Sequence, residues 1–474
     1  MTHASTTSVL MFILLRLTVV STTFPLFIQE DKNMKHRVLR LAAVGVAAVL
    51  TTFGVAVGNA VAKDKMVIAV PTFLTGGGAP AFGIPARNGT ELIIQAINKG
   101  QVPAPYNTKG IAGAQVEAII YDESGGGAKQ VTEYRNKVQK LGVDMFAGFV
   151  SSGTCAAVTA VAEELKTLTL YSTCGTPRVF EELDKNPKYV FRTMSHATAD
   201  GVSLAHYVAS KFGSANGYTG INQNYAWGQD SWRDFDLAMK VLAPQIKGST
   251  KGQWPKIFAG RYGAEISALL KSPEDLVHTS FWGGDLEAFI FQGLARGLFK
   301  KKQFLMSVAG TAAYRLGKKL PTGIVLGSRG PYGIYANQLI DTPMVKWFNN
   351  AYVNRYGTQP TQPSYQYAQA ILGAKFAYEK AADANGGKWP STDQVIAALE
   401  GATFQGVATV VRMARSNGHQ GVTDHAWGVA SFDKELGLPV VSDVMHFKGD
   451  CIMPPNGIDS VTWLKGGMKG AKCD

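Results

Sequence analysis

The sequence has little of what metal, thiol or phosphate chemistry would need. Only 4 of its 474 residues are cysteine and 8 are histidine. No C-x-x-C or H-E-x-x-H occurs and the histidines are scattered, so the spacing supports no metal centre. The glycine cluster Thr75-Gly76-Gly77-Gly78 follows an apolar strand but lacks G-x-G-x-x-G spacing, and there is no G-K-[ST]. That reads as a flexible turn beside a cleft, and no cofactor is expected. Charge is sparse too: 17% of residues are charged against 46% hydrophobic, which excludes a disordered chain and leaves ample core for more than one domain. No repeat period of roughly 20 to 50 residues is present. The net charge of +12 has one dense run, Lys300-Lys301-Lys302, beside an amphipathic segment. A solvated surface accounts for it, and nucleic acid is not an expected partner.

Residues 1–62 are set apart from the fold. From Met34 a basic segment, MKHRVLR, precedes the apolar run LAAVGVAAVLTTFGVAVG and a small-x-small site at Ala60-Val61-Ala62. This is the layout of a secretory signal peptide, so export with cleavage near Ala62 is expected, with translation beginning at Met34. A permanent anchor would need a more strongly apolar run. All four cysteines follow this segment, and an even count in an oxidising compartment favours disulfides. Four cysteines allow three connectivities. Pairing Cys451 with Cys473 would staple the C-terminal tail, whereas pairing Cys155 with Cys174 would join two turns.

Those two turns belong to the most organised stretch, Asp144 to Pro177. Met145 to Val150 and Leu168 to Tyr171 are apolar runs of strand length, and between them Val158, Val161 and Leu165 recur at helical spacing. Each strand ends in small polar residues, Ser151-Ser152-Gly153-Thr154 and Ser172-Thr173-Cys174-Gly175-Thr176. In a parallel sheet both turns reach the carboxyl edge, where open α/β folds bind ligands. Hydroxyls and free N–H groups at a helix start suit an anion, so this is read as a seat for a small carboxylate. Val150-Ser151-Ser152-Gly153 also invites comparison with a hydrolase nucleophile elbow, but the glycines are misplaced: Gly148 stands three residues before Ser151. An enzyme is not expected.

Strand–helix alternation runs on either side, through KMVIAVP and VEAIIY, and again from Phe191 through Trp227 to Val308. The expected fold is α/β, with two doubly wound lobes, central mostly parallel sheets and a three-strand hinge. Lobe 1 is expected over 63–195 and 330–410, and lobe 2 over 196–329 and 411–474. Long helical stretches after Met344 carry no strand and should cover lobe 1. Phe281 and Trp282 adjoin in a strand, so at most one of them faces the cleft.

In order, KMVIAVP-FLTGG, VEAIIYDES, DMFAGFVSSGT, TLTLYSTCGTP, YVFRT, YAWGQD and FWGGDLE resemble periplasmic solute-binding proteins of branched-chain amino-acid-type ABC importers. The likeness covers residues 63–450, and R-S-N-G-H-Q at Arg415 to Gln420 is similar to a signature of amide, urea and branched-chain binders. The resemblance implies a type I periplasmic-binding-protein fold, a monomer in the periplasm, a small-molecule solute and an inner-membrane ABC permease as partners. A sensor feeding a regulator would use the same fold. Carried over by position, the carboxylate seat falls on Ser151, Ser152 and Gly153, and the facing loop on Cys174, Gly175 and Thr176. Phe82 and Trp227 become aromatic walls, and Asp285 faces the ligand from lobe 2. The acidic partner of an α-ammonium should lie near Val308 to Thr311, where this chain has no carboxylate. An aromatic or apolar organic acid is therefore expected ahead of a branched-chain amino acid.

Overall fold

The computed structural model describes residues 63–473. The signal segment and the start at Met34 lie outside the described residues. No helix among those described is long and apolar enough to cross a membrane.

The chain alternates between two sheets. It lays down β1 (Lys65–Thr72), β2 (Gln115–Asp122), β3 (Met145–Gly148), β4 (Thr169–Tyr171) and β5 (Val190–Arg192) in the first. It then builds β6 (Gly217–Gly220), β7 (Lys247–Gly248), β8 (Leu276–Thr279), β9 (Gln303–Met306) and β10 (Val325–Gly327) in the second. It returns to the first for β11 (Thr403–Gln405), β12 (Val410–Arg415) and β13 (Gln420–Val422), and closes in the second with β14 (His425–Asp433) and β15 (Leu438–Phe447). The orders are β11-β12-β13-β5-β4-β3-β1-β2 and β15-β14-β10-β9-β8-β6-β7. Strands β1 to β5 and β6 to β10 pair in parallel; only the late strands add antiparallel edges. These are the two α/β lobes with mostly parallel sheets that the alternation predicts. Strands β12 and β13 extend the first sheet past the expected boundary at 410, because Gln420 pairs in parallel with Arg192.

Helices cover both faces of each sheet, which is why the inner strands are apolar on both sides. In β1, Met66, Ile68 and Val70 join a core with Ile93, Ile97, Leu170 and Ile371, while Ala69 turns to the opposite core of Phe146, Val158 and Val161. The second sheet divides the same way: Leu276, Leu305 and Val325 on one face, Val277, Phe304 and Leu326 on the other. The helix Gln362–Ala384 lies over the first sheet as expected, and its Tyr367 Oη donates to Pro71 O at 2.7 Å.

Three crossovers, at 193–196, 328–333 and 423–424, join the lobes and are bonded to one another. Ser195 Oγ donates to Thr423 O at 3.1 Å, and Arg329 Nη2 donates to Ser195 O at 3.5 Å. Cys155 is bonded to Cys174 and Cys451 to Cys473. The second bridge closes a loop with a sequence separation of 22 residues. A loop of that size confers about 3 kcal/mol by constraining the unfolded chain. The Cys451→Ser/Cys473→Ser variant is thus expected to lose about that much in a denaturant titration, with solute binding unchanged.

Candidate functional site

The carboxyl ends of the two sheets face each other, and the lobes meet there. Gly284 N–H donates to Gly77 O at 2.8 Å, and Phe82 meets Trp282 with ring centroids 5.1 Å apart. A Cβ at Gly283, whose φ is +61°, would sit 2.6 Å from Gly77 O, so this approach needs glycine. Further along, Thr176 Oγ1 donates to Asp230 Oδ2 at 2.6 Å, and Arg178 Nη2 pairs with Asp230 Oδ1 at 2.8 Å. This is a closed cleft.

Inside it lies a cavity lined by Phe82, Val150, Ser152, Thr173 and Gly175 from the first lobe. Tyr225, Trp227, Trp282 and Val308 line it from the second, and Arg329 from the second crossover. Its free volume is only about 10 Å³, room for about one water molecule, so in this closed form the walls nearly touch and an organic solute enters only with the lobes further apart. A larger hollow, lined by Glu181, Lys185, His196, Arg415 and the tail around Pro455, shares no residue with the cleft and mixes charges of both signs.

Phe82, Ser152, Gly175 and Trp227 from the sequence-derived set meet at this cavity; the other five residues do not line it. Ser151 is the N-cap of the helix Ser152–Glu164, accepting from Thr154 N–H, and Gly153 follows inside the helix. Cys174 Sγ is in its disulfide, and Cys174 O accepts from Arg192. Thr176 spends its hydroxyl on Asp230, joining the lobes instead of facing the solute. Asp285 lies outside the cavity lining. Its carboxylate accepts from Gln223 Nε2 and Phe258 N–H, each at 2.6 Å, from Gly260 N–H at 3.3 Å and from the Tyr262 hydroxyl. All four donors lie in the second lobe, so Asp285 is the anchor of the loop around Phe258.

The anion seat is also built differently from the expectation. Val150 and Ser151 N–H groups donate to the buried Glu123 carboxyl at 2.7 and 2.8 Å, so the helix start already holds an acid. Burial pushes that carboxyl up to about 8, against the pull of these N–H groups.

Three residues of the lining, Ser152, Thr173 and Tyr225, carry hydroxyls with protons to give. Ser152 Oγ accepts from Gly175 and Thr176 N–H at 3.1 and 3.2 Å, which leaves its own proton for another acceptor. Thr173 Oγ1 has no hydrogen-bond partner among the described residues, although Thr173 is only 1% exposed. Tyr225 Oη accepts from Trp282 Nε1 at 2.7 Å. Burial holds its phenol far above the ordinary range, so it too keeps a proton to donate. No Asp or Glu lines the cavity among the described residues. Sequence reasoning missed Thr173, Tyr225 and Arg329. Of the Phe281–Trp282 pair, Trp282 lines the cavity, while Phe281 packs on Tyr262.

The family model for periplasmic binding proteins matches residues 65–435. The chain belongs to the periplasmic binding protein family. Among curated proteins none matches it. Solved structures similar to this periplasmic binding protein include an ABC-transporter solute-binding protein from Rhodopseudomonas palustris BisB5, in complex with 3,4-dihydroxybenzoic acid. It has a TM-score of 0.68 at 17% identity, over 82% of this chain and 98% of its own. A second, from R. palustris HaA2 with p-hydroxybenzoic acid, has a TM-score of 0.66 at 18% identity, covering 81% and 98%. The leucine-binding protein LivK of Thermotoga maritima MSB8 has a TM-score of 0.65 at 18% identity, covering 80% and 98%. At such identities the shared property is the fold.

Proposed function

We propose that this periplasmic binding protein captures a small aromatic carboxylic acid between its lobes and hands it to the permease of an ABC importer. The supporting observation is the cavity lining: aromatic walls from both lobes, three hydroxyls able to donate, and no carboxylate. A carboxylate offers only acceptors, so it complements such a wall, whereas the ammonium of an amino acid would find hydroxyl oxygens but no carboxylate to balance its charge. Asp285 does not supply one, because its oxygens are already used within the second lobe. Aromatic contacts at Phe82, Trp227 and Trp282 would add about 0.5–1.5 kcal/mol each beyond area burial. The R. palustris proteins with hydroxylated benzoates bear on the ligand class, and LivK marks the amino-acid alternative. Export with cleavage near Ala62, a monomeric state and the lobe division, with β12 and β13 assigned to lobe 1, belong to the same proposal.

A ligand that binds only the folded state raises stability by about 2.7 kcal/mol at a hundredfold excess over its dissociation constant. A thermal-shift panel of benzoates, hydroxycinnamates, aliphatic acids, amides, urea and branched-chain amino acids tests this. Benzoates or hydroxycinnamates should give the largest rise. A rise with leucine, isoleucine or valine and none with the acids would reassign the cleft to an amino acid.

A further inference from the structure

Arg329 lies in the second crossover with a left-handed backbone, φ +47°, and its side chain is 4% exposed. A non-glycine residue in that conformation is held there by its surroundings. Here the holders come from three parts of the chain: Nε donates to Asp200 Oδ2 at 3.1 Å, Nη1 to Thr173 O at 2.5 Å, and Nη2 to Ser195 O at 3.5 Å. A guanidinium has five N–H donors, so two remain, one on each terminal nitrogen. The group stacks on Trp227, 4.5 Å from the ring centroid, and lines the cavity beside Ser152 and Thr173. A Cβ on Gly175 would sit 2.4 Å from Nη2 and 2.5 Å from the Trp227 ring, so the loop is kept bare to admit the guanidinium.

The charge around Arg329 is unbalanced. Arg192, fully buried behind the same loop, bonds only neutral groups: Gln420 Oε1, Cys174 O and Thr176 O. It forms no ion pair among the described residues, and its Nη2 has no partner. Asp200 is the single carboxylate paired with Arg329; its other oxygen has no hydrogen bond and lies 3.4 Å from His425 Nδ1. Burial pushes the Asp200 carboxyl up against the pull of Arg329, and it keeps His425 neutral, down to about 3. Glu181 accepts from Ser460 and lies 3.6 Å from His196 Nε2, with no hydrogen bond to either guanidinium among the described residues. Arg329, at the solute cavity, thus has one acid as its ion-pair partner, and Arg192 behind it has none among the described residues.

We propose that Arg329 is the charge-selecting residue of the cleft, its free N–H groups taking the solute's carboxylate, so that an acid binds and its uncharged amide does not. This rests on the aromatic-acid proposal above and adds the group that reads the charge. Benzoate and benzamide share shape and ring and differ in charge, so calorimetric titration of both isolates the effect. The wild type should prefer benzoate by about a hundredfold, as a charge-assisted pair in a desolvated site allows. Arg329→Gln/Asp200→Asn removes both members of the buried pair, leaving neither charge unpaired. That variant should lose the preference, the ratio of the two dissociation constants falling to about one whatever the loss of affinity common to both. Arg329→Lys, which keeps the charge but not the fork, should retain a reduced preference and serves if the double variant does not fold. A folded double variant that still prefers benzoate a hundredfold overturns the proposal, as does an Arg329→Lys protein with undiminished preference. If wild type binds neither ring compound, isovalerate and isovaleramide are titrated instead. An Arg329-dependent preference for the aliphatic acid then keeps the charge reader and overturns the aromatic ligand, and no preference overturns both.

Discussion

Replacing Thr173 by valine is expected to weaken binding of an aromatic acid about ten- to a hundredfold while leaving the unliganded protein as stable as before, or more so. The two effects have one origin. Thr173 lines the cavity and is buried, and its hydroxyl has no partner among the described residues, so the unliganded protein carries the cost of a desolvated donor. Leaving such a group unmade costs about 1–3 kcal/mol, and valine, nearly the same in shape, removes it. In the complex that hydroxyl would give a hydrogen bond to a charged acceptor, worth about 1.5–3 kcal/mol, and valine cannot replace it. Calorimetry for affinity and thermal unfolding for stability separate the two. Loss of apo stability with unchanged affinity would make Thr173 a packing residue. Ser152→Ala is a less clean probe, because its oxygen also receives the Gly175 and Thr176 N–H groups and its loss unsettles the loop.

The opposite pattern is expected at Asp285. Alanine there leaves Gln223 Nε2 and the Tyr262 hydroxyl buried without an acceptor, and frees the Phe258 and Gly260 N–H groups. At about 1–3 kcal/mol for each buried donor, the folded state should lose about 2–5 kcal/mol, read as a fall in the denaturant midpoint. Phe258 packs edge-on against Trp282 at 5.3 Å, so releasing its loop should also loosen the aromatic wall and weaken every solute alike. Binding lost selectively for amines, with stability intact, would restore the ammonium role to Asp285.

These two residues also mark where the sequence stops being informative. The grammar of strand, small polar turn and helix points to the carboxyl edge, and Ser152, Gly175, Phe82 and Trp227 meet there. The turn Ser172–Thr176 has no periodicity, however, and two of its residues are threonines. Asp230 reaching across from the other lobe claims Thr176, which leaves Thr173 for the cavity, and no local pattern encodes that choice. Asp285 stands in the first turn of a helix at the cleft edge, a position from which a side chain would be expected to meet the solute. It is turned away by a loop some 25 residues upstream that supplies it with N–H groups. Arg329 sits in a crossover outside any repeat, where a lone arginine reads as exposed; its burial depends on Asp200, Thr173 and Ser195 converging from three parts of the chain. Strand β13 carries the first sheet beyond 410 with almost no pattern of its own, being three residues long.

The central claim is that a cavity lined by donors and aromatic rings, with no carboxylate, takes an aromatic acid. Titration calorimetry of 4-hydroxybenzoate and of leucine into the exported protein tests it most directly. The account predicts one 4-hydroxybenzoate per chain, with a dissociation constant in the micromolar range or below, and no heat from leucine beyond dilution. Saturable binding of leucine, with none of 4-hydroxybenzoate or its unsubstituted parent, would contradict it.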